Sequence, residues 1–360
     1  MVTQLNQHIY DLVGLCADFG VEKAIVCPGS RCAPLLIGFG KHPVIETISV
    51  TDERSAGFLG LGMAQQSGKP VVLVCTSGTA AQNFAPAVTE AFYQNVPLIV
   101  LTADRPPEWI DQWDGQTIRQ NNLYADHVKG SYIFDKNNVA VAETAFNLAL
   151  DGGPGPVHLN IPIREPFYLE KNRKIIFNAK PQRPQRFKKY EIDETVWNEF
   201  ESLLKSSEKV LVLGGQMEPN LELVELLNQL EFPVLGDVIS NLHGVDEGIQ
   251  SIDLMFKTVD KTMALDFLIT FGRSIVSKNL KLYLRKYKPK HHWHIGEGMV
   301  GDPFKALSKT IVMPSLQFFK EWSKRNEGKI TKVVKGKSNY FTLLSEAQKK
   351  VDKNLNSKLE

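Results

Sequence analysis

ISVTDERSAGFLGLGMAQQSGKPVVLVCTSGT, residues 48–79, reads as a strand, a helix and a second strand, and that reading decides the fold. Ile48, Ser49 and Val50 form the first strand, and Thr51 or Asp52 can cap the helix. Ala56, Gly57, Gly60, Gly62 and Ala64 leave the helix a thin surface that another element can approach closely. PVVLVC, residues 70–75, is the second strand, closed by Thr76-Ser77-Gly78-Thr79. Glu53 sits where strand hands over to helix. One reading makes Asp52 and Glu53 first-turn acids favoured by the helix dipole. The other places the Glu53 carboxylate against a flat ligand, out of water.

Outward from this unit, short apolar runs alternate with helical patterns, as in a parallel sheet covered on both faces. A helix over residues 4–19 precedes the strand KAIVCPGSR, whose Pro28-Gly29-Ser30-Arg31 turn leaves Ser30 and Arg31 at a strand's carboxyl end. AAQNFAPAVTEAFYQN reads as a helix, and residues 97–101 as a strand that ends in TADRPPE. A helix over 140–150 and a strand in DGGPGPVHLNIP follow. Ligands gather at the carboxyl ends of strands in such sheets. Ser30, Arg31, Glu53, Thr76 to Thr79 and Arg105 all fall there. Taken singly, Ser77-Gly78-Thr79 also suits a helix cap and Arg105 a loop charge; their convergence on one edge favours a site.

The 360 residues are 43% hydrophobic and 23% charged, enough for two domains with real cores. A net charge of +2 gives no nucleic-acid signature. No stretch has the apolar length of a membrane span or signal peptide, so a cytoplasmic protein is expected. Cys16, Cys27, Cys32 and Cys75 form no CxxC pair and read as buried free thiols.

Residues 171–190 are basic and proline-containing, with little periodicity, and read as a linker. Residues 1–165 carry 10 basic against 16 acidic side chains, and the remainder 32 against 24, so the balance reverses there too. Beyond it, a helix over 193–205, KVLVLGG, LELVELLNQL, FPVLGDV, FLITFG, HHWHIG and KTIVMP build a second, Rossmann-like α/β domain. Gly214-Gly215 follows a strand, but the full GxGxxG spacing and a ribose-binding acid are missing. His291, His292 and His294 lack an acidic or cysteine partner at metal-site spacing and read as strand and loop histidines. SNYFTLLSEAQKKVDKNLNSKLE reads as an exposed, lysine-rich amphipathic helix.

The runs CPGSR, TDERSAGFLGLGMAQQSGKPVVLVCTSGTAAQNFAPAVTEAFYQNVPLIVLTADRPPE, GQTIRQ and GPVHLNIPIREPFY resemble the amino-terminal domain of a thiamine-diphosphate enzyme family. That family is the 2-succinyl-5-enolpyruvyl-6-hydroxy-3-cyclohexene-1-carboxylate synthases of menaquinone biosynthesis. FPVLGDVISNLHG and FGRSIVSKNL resemble its central domain more weakly. The resemblance implies an α/β fold of doubly wound parallel sheets: a pyrimidine-binding domain over 1–175, a linker over 176–190 and a central Rossmann-like domain over 191–325. A linker and helix over 326–360 would lead toward a third, diphosphate-binding domain that the chain lacks. That domain would show Gly-Asp-Gly followed by Asn-Asn, to hold magnesium or manganese. Gly301-Asp302-Pro303 and Gly236-Asp237-Val238 are decoys for the first half of the motif.

By the same resemblance Glu53 is the catalytic carboxylate, hydrogen-bonded to the pyrimidine of thiamine diphosphate. Pro28, Thr76, Gly78 and Asn83 line the pyrimidine pocket with it. Ser30, Arg31, Arg105, Gln116 and Lys278 contact the substrates, 2-oxoglutarate and the dianion isochorismate, for which arginine's rigid fork is suited. The family builds each site across a homodimer, so a homo-oligomer is expected, and a two-domain chain alone should be inactive. A different thiamine-dependent carboligase or decarboxylase, or a non-catalytic module of the same fold, are the alternatives.

Overall fold

The computed structural model describes residues 6–168, 174–178, 190–229, 233–245, 251–326 and 338–359. They fall into two compact units, Met1–Arg186 and Phe187–Glu360. Most of the expected linker, residues 179–189, lies outside the described residues.

The first unit runs α1 (Gln7–Asp18), β1 (Lys23–Val26), α2 (Ala33–Lys41), β2 (Glu46–Ser49), α3 (Glu53–Ser67), β3 (Val71–Cys75), α4 (Thr79–Asn83), α5 (Ala85–Gln94), β4 (Leu98–Asp104), β5 (Ser131–Ile133), α6 (Ala140–Leu150) and β6 (Val157–Pro162). Its six strands are all parallel, in the order β2-β1-β3-β4-β6-β5. Every residue of β3 and β4 is buried, because helices cover both faces. Val72, Val74, Ile99 and Leu101 face α1, α2 and α6. Leu73, Val71, Leu98 and Val100 face α3 and α5. The thin face of α3 is real at two of its glycines. A Cβ on Gly57 would lie 2.9 Å from Ala87 Cβ of α5, and one on Gly60 would lie 2.4 Å from Leu73 Cδ2 of β3. Gly62 meets nothing within 4 Å.

Two boundaries differ from the sequence reading. The strand expected over 97–101 continues to Asp104, so Thr102, Ala103 and Asp104 belong to the sheet and not to the loop. The helix expected from residue 80 to 95 is two helices meeting at Phe84, because Pro86 has no N–H with which to continue the first. The three-residue edge strand β5 was too short to leave a pattern.

The second unit runs α7 (Glu194–Ser206), β7 (Val210–Gly214), α8 (Leu221–Gln229), β8 (Val234–Gly236), α9 (Ile252–Thr258), β9 (Phe267–Phe271), α10 (Lys278–Lys286), β10 (His291–Ile295), β11 (Lys309–Ile311), α11 (Ser315–Asn326) and α12 (Ser338–Leu359). Its five strands are parallel in the order β11-β10-β9-β7-β8. The final helix is amphipathic as expected, but it is not an exposed appendage. Tyr340, Leu344, Ala347 and Val351 are buried in one apolar cluster with Ile252, Met255 and Tyr283 of α9 and α10. Burial of its larger apolar side chains is worth about 2 kcal/mol apiece.

His292 and His294 share a face of β10, and both meet Thr270 of β9. Thr270 Oγ1 lies 2.9 Å from His292 Nε2 and 2.9 Å from His294 Nδ1. One hydroxyl proton can serve only one of them, so the other ring nitrogen donates. With His294 as donor, His292 carries its proton on Nδ1, the nitrogen 3.9 Å from Asp302 Oδ1. Burial pushes both imidazoles down to about 4, against the opposing pull of Asp302 on His292. Their unfolded value is about 6.5, so the stability they give as neutral rings is complete above that pH and is lost as pH falls toward 4. Urea midpoints should therefore drop between pH 6.5 and 4 by the equivalent of about 3 kcal/mol for each ring. A midpoint that stays flat across this window would contradict the assignment.

Candidate functional site

The strand order reverses between β1 and β3, and the loops that follow these strands meet there. Gly29, in the turn after β1, packs so tightly on Thr76 after β3 that a Cβ would lie 2.4 Å from Thr76 Cβ. Arg31 and Thr76 are buried, while Pro28 and Ser30 face solvent. Four adjacent strands, β2, β1, β3 and β4, thus contribute Glu53, the 28–31 turn, the 76–79 turn and Arg105 to one edge.

Glu53 opens α3, with Asp52 as its cap: Asp52 Oδ1 accepts from Ser55 N at 2.7 Å. The capping role falls to Asp52, which leaves Glu53 free of it. Glu53 is half-buried and its carboxylate makes no hydrogen bond or ion pair among the described residues. Its charge helps to raise the thiols of Cys27, Cys32 and Cys75, each already raised mainly by burial. All four cysteines are buried and unbridged.

Arg31 is 6% exposed. Its Nη1 donates to Ile163 O at 2.8 Å, and its guanidinium lies 4.6 Å from the Phe167 ring centre and 5.5 Å from that of Trp109. Its buried Nε has no partner. Burial, and then the neighbouring Arg105, lower its pKa. Arg105 donates from Nη1 to Ser77 Oγ at 2.5 Å and from Nη2 to Gly115 O at 2.7 Å. Two guanidiniums whose charges act on each other favour an anion between them.

Gly78 needs to be glycine on two grounds: its φ is 87°, and a Cβ would sit 3.2 Å from Gln116 O. Gln116 is exposed, with φ 57°, and its backbone packs over Gly78. Asn83 lies exposed on α4, where its Nδ2 donates to Thr79 O. Lys278 belongs to the second unit. It opens α10 and lines a cavity of about 640 Å3 with Ser240, His243 and Ser277. A larger cavity, about 1150 Å3, lies elsewhere in the first unit between α1, Phe134 and Arg164, and includes none of the residues singled out above.

Beneath the edge runs a buried polar chain that sequence reading missed. Asn160 of β6 donates to Asp104 Oδ2 at 2.7 Å, and its Oδ1 accepts from Thr102 Oγ1 and Gln120 Nε2, both at 2.9 Å. Gln120 Oε1 accepts from Gly78 N at 2.7 Å, and Asp104 Oδ1 from Arg105 N at 2.7 Å. Thr102, having spent its proton on Asn160, accepts from His158 Nε2, and His158 Nδ1 then accepts from Ser131 Oγ. Burial keeps His158 neutral, pushing it down to about 3, and raises Asp104. The signal was present: Thr102, Asp104, His158 and Asn160 are polar residues inside strands that are otherwise apolar.

In the second unit the strand order reverses between β7 and β9, and that crevice is closed by backbone. Gly215 N donates to Phe271 O, Gln216 N to Ser274 O and Arg273 N to Gln216 O, all at 2.8 to 2.9 Å. A Cβ on Gly215 would be 2.3 Å from Arg273 O. Gly215 serves this close approach, and Gly214 makes room for Leu242, whose Cδ1 would lie 2.4 Å from a Cβ there.

Comparison with known proteins agrees with the two units. Residues 10–125 match the family described as "Thiamine pyrophosphate enzyme, N-terminal TPP binding domain", and residues 182–355 match "Middle domain of thiamine pyrophosphate". The chain belongs to the thiamine pyrophosphate enzymes. Among curated members it is similar to the 2-succinyl-5-enolpyruvyl-6-hydroxy-3-cyclohexene-1-carboxylate synthases of Cytophaga hutchinsonii, 38% identical over 87% of this chain and 58% of the relative, and Flavobacterium johnsoniae, 40% over 88% and 59%. The synthase of Flavobacterium psychrophilum is 39% identical over 94% of this chain and 61% of its own. The chain thus spans about three fifths of the length of these relatives. Among the described residues no helix is long and apolar enough to cross a membrane.

Proposed function

We propose that this chain forms the pyrimidine-gripping and central parts of a thiamine-diphosphate synthase. The whole protein decarboxylates 2-oxoglutarate and adds the resulting four-carbon unit to isochorismate. One observation carries the reading: Glu53, half-buried at the head of α3, keeps an unpaired carboxylate on the edge where the β1, β3 and β4 loops meet. The names of the relatives supply the product, and the substrates come from the sequence resemblance.

The residues present fit a flat heterocycle: a free carboxylate beside glycine-built turns that bring backbone close. Thiamine diphosphate, when bound, supplies the carbon nucleophile and the electron sink for decarboxylation. Glu53 would share a proton with a ring nitrogen of the pyrimidine, and its partly dry setting would strengthen that bond. Thr76 and Gly78 form the buried wall of the pocket, with Pro28 and Asn83 at its rim. Arg31 and Arg105, helped by Ser30 and Gln116, hold the substrate carboxylates, and Lys278 is assigned a further substrate anion from its motif. Among the described residues no three carboxylate, histidine or cysteine side chains converge, and the resemblance assigns magnesium or manganese to the remainder of the protein. A homo-oligomer belongs to the same reading, since Phe58 and Leu59, about one and a half turns beyond Glu53, are 46% and 39% exposed.

Calorimetry with thiamine diphosphate and magnesium tests the division of labour. The full-length protein should bind at micromolar concentrations and this chain alone should not; micromolar binding by the short chain contradicts it. Release of carbon dioxide from 2-oxoglutarate should depend on isochorismate. Indifference to isochorismate would favour another thiamine-dependent carboligase or decarboxylase.

A further inference from the structure

We propose that Asp237 and Asp253 are positioning residues that set the turn carrying Lys278 without neutralising it. The inference rests on the reading in which Lys278 meets a substrate anion, and deepens it by saying what holds the cation in place. Asp237, 3% exposed, follows β8, and its Oδ2 accepts from Val276 N at 2.7 Å and Ser277 N at 2.9 Å. Asp253 lies in the first turn of α9. Its Oδ1 accepts from Ser277 Oγ at 2.7 Å and Asn279 N at 2.9 Å, and its Oδ2 from Asn279 Nδ2 at 2.7 Å. Ser277 Oγ also caps α10 by accepting from Leu280 N at 3.2 Å.

Two carboxylates from two elements thus grip the residues on either side of Lys278. A lysine stem is flexible, so the position of its ammonium is governed by where its backbone is fixed. Two acids this close would ordinarily pair with the amine. Here their oxygens are taken by the turn, and the Lys278 side chain is exposed, with no ion pair or hydrogen bond among the described residues. It reaches the cavity of about 640 Å3 still able to bind an anion from outside. This also gives a role to Gly236-Asp237-Val238, the sequence decoy for a metal motif.

The geometry separates the two acids chemically. Asp237 accepts both bonds on one oxygen, which an asparagine carbonyl can reproduce. Asp253 uses both oxygens, and an amide NH2 in place of either would meet a donor.

The test measures KM for isochorismate and kcat in the full-length enzyme, with amide exchange at residues 276–280. Lys278→Ala, Asp253→Ala, Asp253→Asn and Asp237→Ala should each raise KM about tenfold with kcat changed less than about twofold. The three aspartate variants should also speed exchange in the turn, and Asp237→Asn should restore most of the KM that Asp237→Ala loses. If Lys278→Ala raises KM but the Asp253 variants do not, the positioning role is wrong and the substrate role of Lys278 stands. If Lys278→Ala changes nothing, both fall. Should the Asp253 variants fail to fold, Asn279→Ala decides: it removes one of the donors to Asp253 and should raise KM about threefold, and an unchanged KM overturns the proposal.

Discussion

Glu53→Gln in the full-length protein is expected to lower kcat by about 10²- to 10⁴-fold, the usual contribution of a positioned acid or base. Glutamine keeps the length of the side chain and can still hydrogen-bond a ring nitrogen. It cannot share a proton across that bond, which is the function assigned to the carboxylate. The loss should be confined to turnover. Glu53 has no hydrogen bond or ion pair among the described residues to forfeit, and the helix cap belongs to Asp52. Thermal unfolding should therefore stay within about 0.5 kcal/mol of the parent. A variant that folds and keeps its rate would remove Glu53 from the chemistry. An undiminished menaquinone supply in cells carrying it would favour a non-catalytic module.

Asn160→Leu should be the most damaging change to the first unit's stability, on the order of 3 to 5 kcal/mol. The substitution is close in volume, so a cavity is not the cause. It takes the donor from a buried Asp104 carboxylate and the acceptor from both Thr102 and Gln120. Gln120 in turn holds Gly78, and Asp104 holds the backbone of Arg105. Denaturant midpoints measure the loss, and Gln120→Leu on its own should cost less, because it leaves the Asp104 contact intact. Because the two residues share a contact, the double variant should cost less than the two single losses together. Simple additivity would mean that the chain does not act as a unit.

The parallel architecture was legible because its strands are buried on both faces and read as unbroken apolar runs, bounded by glycine and proline turns. The place of Glu53 at the head of a helix was legible: an acid at a strand-to-helix handover, followed by glycines at helical spacing. Gly78 was visible as punctuation, but the reason it must be glycine was not, since Gln116 reaches it from 38 residues further along the chain. Gln120 and Asn160 were passed over for the same cause. A single polar residue in an apolar strand says that a partner exists, and only tertiary pairing says which. The end of β4 was misread because Thr102 and Asp104 look like loop residues unless their buried partners are known. The terminal helix misled because its four lysines are as numerous as the four apolar side chains that dock it.

That docked helix bears on where the gene may be cut. A truncation ending at Asn326 would strand Ile252, Met255 and Tyr283 against water, along a face that Tyr340 and Leu344 now cover. Any shortened version meant for crystallisation or labelling therefore has to carry the sequence through Val351 at least. Otherwise poor solubility will be mistaken for an unstable central domain.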